Sequence, residues 1–148
     1  MLLTNHVLSG AVIGALGGRP VPAFAAGVAS HFVLDAVPHW GDWGSQRRFL
    51  RVAVPDGLLS LAVMGALTAA SPPGRRAAML AGMAGAALPD ADKPANLWFG
   101  RSPFPAAVDR FHMRIQDESF GRAPVELAAA GVFATAVFIA IRRARAGH

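Results

Sequence analysis

From Leu58 to Ser71, and again from Leu127 to Ile141, no side chain carries a charge. A helix that is apolar on every side is either buried in a large protein or surrounded by lipid. Crossing a bilayer core of about 30 Å takes about 20 apolar residues. With their flanks, the segments Phe49–Ala70 and Pro124–Ile141 both reach that length. The chain has 148 residues, enough for one domain. It is 53% hydrophobic and only 16% charged, against about 25% in ordinary soluble domains. Little is left to cover a wet surface, so a membrane protein is the expectation. The competing reading is a soluble all-helical domain that buries these helices.

Proline and glycine divide the rest into helices. The pattern predicts Leu3–Gly17, capped by Thr4 or Asn5 and stopped by Gly17-Gly18-Arg19-Pro20. A second helix spans Pro22–Val37 and stops at Pro38. The third is Phe49–Ala70, with Pro55 in its first turns. A fourth spans Arg75–Leu88, and the last, Pro124–Ile141, opens on a favoured proline. The first, second and fourth are short for a bilayer. Their Ala and Gly content suits close packing between helices in lipid. Residues 89–123 read as a polar, aromatic loop holding a short amphipathic helix near Ala106–Gln116. The expected fold is all-α: a small up-and-down membrane bundle of about five helices in one domain, residues 1–148. The N-terminus lacks the basic stretch of a secretory signal, so the first apolar segment is expected in the mature chain.

Alternating helix directions sort the charges. All nine acids, Asp35, Asp42, Asp56, Asp90, Asp92, Asp109, Asp117, Glu118 and Glu126, fall at one end. So do His6, His31, His39 and His112. The other end carries Arg19, Arg75, Arg76, Arg142, Arg143, Arg145 and His148, and no acid. Short basic turns and a basic tail mark a cytoplasmic side, which places the C-terminus inside and the His/Asp face outside. The C-terminal arginines lack interleaved aromatics, so they read as a topology signal and no nucleic-acid partner is expected.

Cysteine is absent, so any metal must be held by His, carboxylate or backbone oxygen. His31-x-x-x-Asp35 puts both side chains on one helix face. In isolation such a pair more often forms a salt bridge than a metal site. Here His39 follows one turn on, flanked by Trp40 and Trp43, which suit a membrane interface. In Leu88-Pro89-Asp90-Ala91-Asp92, two carboxylates in a proline-bounded turn can grip one divalent cation or bridge two; the plainer reading is a solvated helix end. Asp56 lies in an apolar helix, where an ionisable group is costly and functional by default, unless it caps the helix after Pro55. His6 and His112 are second-tier ligands, each with a plainer reading as a solvated or satisfied histidine. Asp56 or Glu118 is the expected further ligand or general base. No phosphate-binding loop, dinucleotide glycine fingerprint or nucleophile elbow occurs.

At three places the chain resembles a family of membrane-bound metal-dependent hydrolases, itself distantly similar to zinc-dependent phospholipase C and related single-strand nucleases. The matching pieces are His6 with Gly10 and Gly14, Ser30-His31-x-x-x-Asp35, and Gly85-Ala-Ala-Leu88-Pro89-Asp90-x-Asp92. The family places the last two in the opposite order, and its His-Arg-Gly-x-x-Thr-His element has no counterpart here. The resemblance implies a hydrolase of a membrane-associated phosphoester that uses zinc or manganese. The residues themselves support a metal-capable polar mouth in a multi-pass cell-membrane protein. Two other readings stay open: a non-enzymatic protein binding a partner, an ion or lipid headgroups, and a small transporter subunit. Membrane lipid is an expected partner, and a homo-oligomer is compatible with either.

Overall fold

Among residues 1–146, which the computed structural model describes, there are seven α-helices and one pair of two-residue strands. The protein is a small all-α bundle. Its helices are α1 (Leu3–Gly17), α2 (Pro20–Asp35), α3 (Gln46–Ala70), α4 (Arg76–Ala87), α5 (Asp92–Phe99), α6 (Ala106–Ile115) and α7 (Ala123–Ala146). Local chemistry sets their ends. Gly18 closes α1 in the left-handed conformation, φ 67°, and Gly100 closes α5 at φ 69°, which glycine adopts without a Cβ penalty. Prolines open α2, and the Ser45 hydroxyl accepts from the Arg48 N–H at the start of α3. The helix runs through Pro55 and begins three residues before the expected Phe49. The stretch 89–123, expected as loop around one short helix, holds both α5 and α6.

α4 packs between α1 and α2, while α3 and α7 lean on α1. The contact is close because it is made by glycine. A Cβ on Gly82 would strike the Gly10 carbonyl and crowd the Gly14 nitrogen. Small residues of this kind let helix backbones approach closely. Val7, Ala11, Ala15, Met79, Met83, Val137 and Ile141 form the buried core.

Two helices are long and apolar enough to cross a membrane, α3 and the segment containing α7. At 1.5 Å per residue they extend about 37 and 36 Å, more than a bilayer core. Only 6% of the most apolar stretch of α3 is buried. Leu58, Leu59 and Leu61 on α3, and Leu127, Val132 and Phe138 on α7, are exposed.

The polar groups divide by end. Arg75 donates to the Ala15 carbonyl at one end, where Arg145 also reaches the Ala70 carbonyl. At the other end, α1, α3 and α7 begin and α2 and α4 finish, covered by α5 and α6. Strand β1 (His39–Trp40) pairs in parallel with β2 (Glu118–Ser119), His39 opposite Glu118. The pairing ties the α2–α3 connection to the α6–α7 connection and gathers Trp40, Trp43 and Phe120 into one aromatic cluster.

α1 has no side-chain cap of its own: its N-cap is Leu2, not Thr4 or Asn5. Asp56 of α3 does the capping, accepting from the Leu3 N–H at 2.7 Å, the Thr4 N–H at 3.3 Å and the Thr4 hydroxyl at 2.5 Å. A carboxylate at a helix N-terminus satisfies free N–H groups and meets the positive end of the dipole. Asp56→Ala is therefore expected to cost about 1–2 kcal/mol, read as an earlier thermal melt of helicity in detergent. An unchanged melt would show that the Asp56 contacts do not hold the start of α1.

Candidate metal centre

α2 delivers His31 and Asp35 from one face, both fully buried. The His31 Nδ1–H donates to the Ala86 carbonyl at 2.8 Å, which fixes the tautomer and leaves the Nε2 lone pair facing inward. Proline shapes the next contribution: Pro89 bends the chain out of α4 through a 3-10 turn, Leu88–Ala91, and sets Asp90 beside that nitrogen. From the other side α6 lowers His112. His31 Nε2 and His112 Nε2 lie 3.0 Å apart. Asp35 Oδ2 is 3.2 Å from the first and 2.9 Å from the second. Asp90 Oδ1 is 3.8 Å from each. One ligand atom from each of the four residues lies within 4.8 Å of the others.

Around this group the second layer is polar. Gln116, one turn beyond His112, donates to Asp35 Oδ2 at 3.2 Å. The Met1 nitrogen donates to Asp35 Oδ1 at 2.7 Å. His6 stacks on His31, ring centroids 3.9 Å apart. Its Nε2 is 3.1 Å from Asp35 Oδ1 but off hydrogen-bonding geometry, so both His6 ring nitrogens are buried without a hydrogen-bond partner. Lys93 pairs with Asp90 Oδ1 at 2.5 Å. Burial pushes the Asp90 carboxyl up, but the Lys93 charge and the neighbouring imidazoles outweigh it and hold it at about 2. For Asp92, burial prevails over Lys93 and raises the carboxyl. Asp92 Oδ2 stands 4.0 Å from His112 Nδ1, behind the ring rather than at the inward nitrogen.

Three expected site residues lie elsewhere. His39 is buried beyond the end of α2, because Pro38 breaks the helix and turns it away. Its Nδ1–H donates to the Val37 carbonyl at 2.8 Å and its Nε2 faces Glu118 Oε1 at 3.5 Å. Glu118 is held below the usual carboxylate range by His39, against a smaller opposing effect of burial; it belongs to the strand pair, not to the His31 cluster. Asp56 caps α1. Glu126 is likewise structural: it accepts from the Leu2 N–H, the Asn5 amide and the Trp40 N–H at 3.1, 2.6 and 3.2 Å.

Sequence reasoning pairs Gln116 with His112 but gives Lys93 no role and misses the Ala86 carbonyl. Lys93 stands directly after the Asp90-Ala91-Asp92 run, and Gln116 is one turn from His112, so both are within reach of spacing arguments. The carbonyl carries no sequence signal. Comparison with protein-family models, with curated proteins and with solved structures gives no match.

Proposed function

We propose that the protein is a multi-pass membrane protein that binds a divalent cation, zinc or manganese, between His31, His112 and Asp35, and uses it to hydrolyse a membrane-associated phosphoester. One observation carries the reading. A tetrahedral ion with ligands at about 2.0–2.2 Å holds them about 3.3–3.6 Å apart. The His31, His112 and Asp35 atoms, separated by 2.9–3.2 Å, approach one triangular face of such an arrangement before any ion draws them into place. Two imidazole nitrogens and a carboxylate oxygen directed at one another repel unless a proton or cation sits among them.

Asp90 lies farther off, at 3.8 Å, on the side that solvent reaches. Catalytic zinc sites keep three protein ligands and one open position. A divalent ion supplies a Lewis acid for a phosphoryl oxygen and lowers the pKa of water. In this reading Asp90 borders the open position, where its carboxylate would orient the attacking water by accepting a hydrogen bond. Lys93, already 2.5 Å from Asp90, binds the phosphate charge. Gln116 and the Ala86 carbonyl hold Asp35 and His31 in place. The resemblance at Ser30-His31-x-x-x-Asp35 supports hydrolysis over simple binding, and the exposed apolar length of α3 and α7 supports a substrate at the membrane.

The same four residues favour a second reading if Asp90 also ligates: the site is then closed and the ion structural. The test is metal content of protein purified without chelator, then turnover of a phosphodiester and a phospholipid with zinc, manganese or chelator. One tightly held ion per chain and chelator-sensitive turnover are expected. Bound metal without turnover in any arm would leave a structural ion. No affinity for either metal would remove the proposal.

A further inference from the structure

The arginine end of the bundle has polar chemistry of its own. Between α3 and α7, floored by α1, runs an apolar groove of about 450 Å³ lined by Leu8, Val63, Leu67, Val137, Phe138 and Ile141. It meets a second cavity of about 480 Å³ at the turn after α3, lined by Ser71, Pro72, Gly74 and Arg76. Ala70 and Arg145 border both. A greasy channel along the two longest apolar helices thus opens at its end into a pocket with two guanidinium groups.

We infer that this double cavity is a binding site for one anionic phospholipid, an acyl chain in the α3–α7 groove and the phosphate between Arg76 and Arg145. Charge complementarity selects this occupant. All the acidic side chains lie at the opposite end, so among the described residues none neutralises Arg76, Arg142 or Arg145. Arg76 donates through Nε and Nη2 to the Ser71 and Ala69 carbonyls at 3.2 and 3.3 Å. Arg145 donates through Nε and Nη2 to the Ala70 carbonyl. A guanidinium has five N–H donors, so each keeps three for an anion while its position is held by the end of α3. Arg142 lies over the Phe138 ring, 5.5 Å from its centroid, at the groove wall. Basic pockets between spanning helices bind anionic lipid headgroups on this principle. The inference rests on the membrane location and not on hydrolysis, because the site is at the other end of the molecule.

The experiment counts lipids retained by the detergent-purified protein in native mass spectrometry, titrated with phosphatidylglycerol or with phosphatidylcholine of the same chains. Wild type should hold one phosphatidylglycerol at least about tenfold more tightly than phosphatidylcholine. Arg76→Gln with Arg145→Gln should erase that preference, and Ala134→Trp, which fills the groove from α7, should lower retention of both lipids. Should Ala134→Trp fail to fold by circular dichroism, Ala66→Trp fills the groove from α3 instead. Arg19→Gln, in the turn between α1 and α2, should change nothing. Equal retention of the two lipids by wild type overturns the site. So does an equal loss in Arg19→Gln, which would mean diffuse surface charge. A protein dimer that Ala134→Trp dissociates, with no lipid bound, would assign the groove to a second copy of the chain.

Discussion

Asp35→Asn should weaken divalent-ion binding by at least about 100-fold, the upper scale seen for loss of even an outer partner of a metal ligand. The side chain is fully buried and both oxygens are engaged. Oδ2 faces His31, His112 and Gln116, and Oδ1 faces the Met1 nitrogen and His6. Asparagine keeps the shape but brings an NH2 among groups that are themselves donors or that need a cation. Removing one partner from a buried charge cluster costs about 3–5 kcal/mol, so the variant should also melt earlier. His112→Ala tests the same site from α6. His112 is buried against Asp35, so its loss should weaken the ion and also lower the melt. Affinity is compared at a temperature where both variants keep wild-type helicity. Competition against a chelating dye reads affinity, and circular dichroism reads the fold. An affinity within threefold of wild type in both variants would show that the ion, if bound, is held elsewhere.

Gly82→Val should prevent the bundle from assembling. The added Cβ would meet the Gly10 carbonyl and the Gly14 nitrogen of α1. Both are backbone atoms of a helix and neither can swing aside as a side chain can. Overpacking a tight contact costs about 1–3 kcal/mol and sometimes more; an obstacle fixed in a helix backbone belongs at the upper end. α4 lies between α1 and α2, so pushing it off α1 disturbs both, and with them the positions of Asp90 and the Ala86 carbonyl. Gly65→Val is the control, because a Cβ at Gly65 meets nothing within 4 Å. Size-exclusion chromatography in detergent should show aggregate or no recoverable monomer for Gly82→Val and a normal peak for Gly65→Val. A monodisperse Gly82→Val with a wild-type melt would mean that the α1–α4 contact yields to a side chain without cost.

What the sequence determined by itself was local. Proline and glycine stop a helix through their own backbone, so α1 spans Leu3–Gly17 as the pattern predicts, and the other expected helices differ by a few residues at their ends. α5 leaves little trace in the pattern because it is eight residues long, carries Pro94 in its first turn and sits among charges. The segregation of acids from the arginine end was also legible, since it follows from helix order and direction. The role of each polar residue was not. Asp35, Asp56 and Glu126 look alike as carboxylates near helix ends. Asp35 faces two imidazoles because His112, 77 residues on, folds over it. Asp56 meets the bare N-terminus of α1, 53 residues back, and Glu126 meets Asn5 across 121. On spacing His39 is the stronger ligand candidate and His112 a second-tier one, but Pro38 turns the first away while α6 lowers the second inward. A side chain's type states which bonds it can make. Which bond it makes depends on the group that tertiary packing sets within about 3 Å of it, and for these residues that group comes from a distant part of the chain.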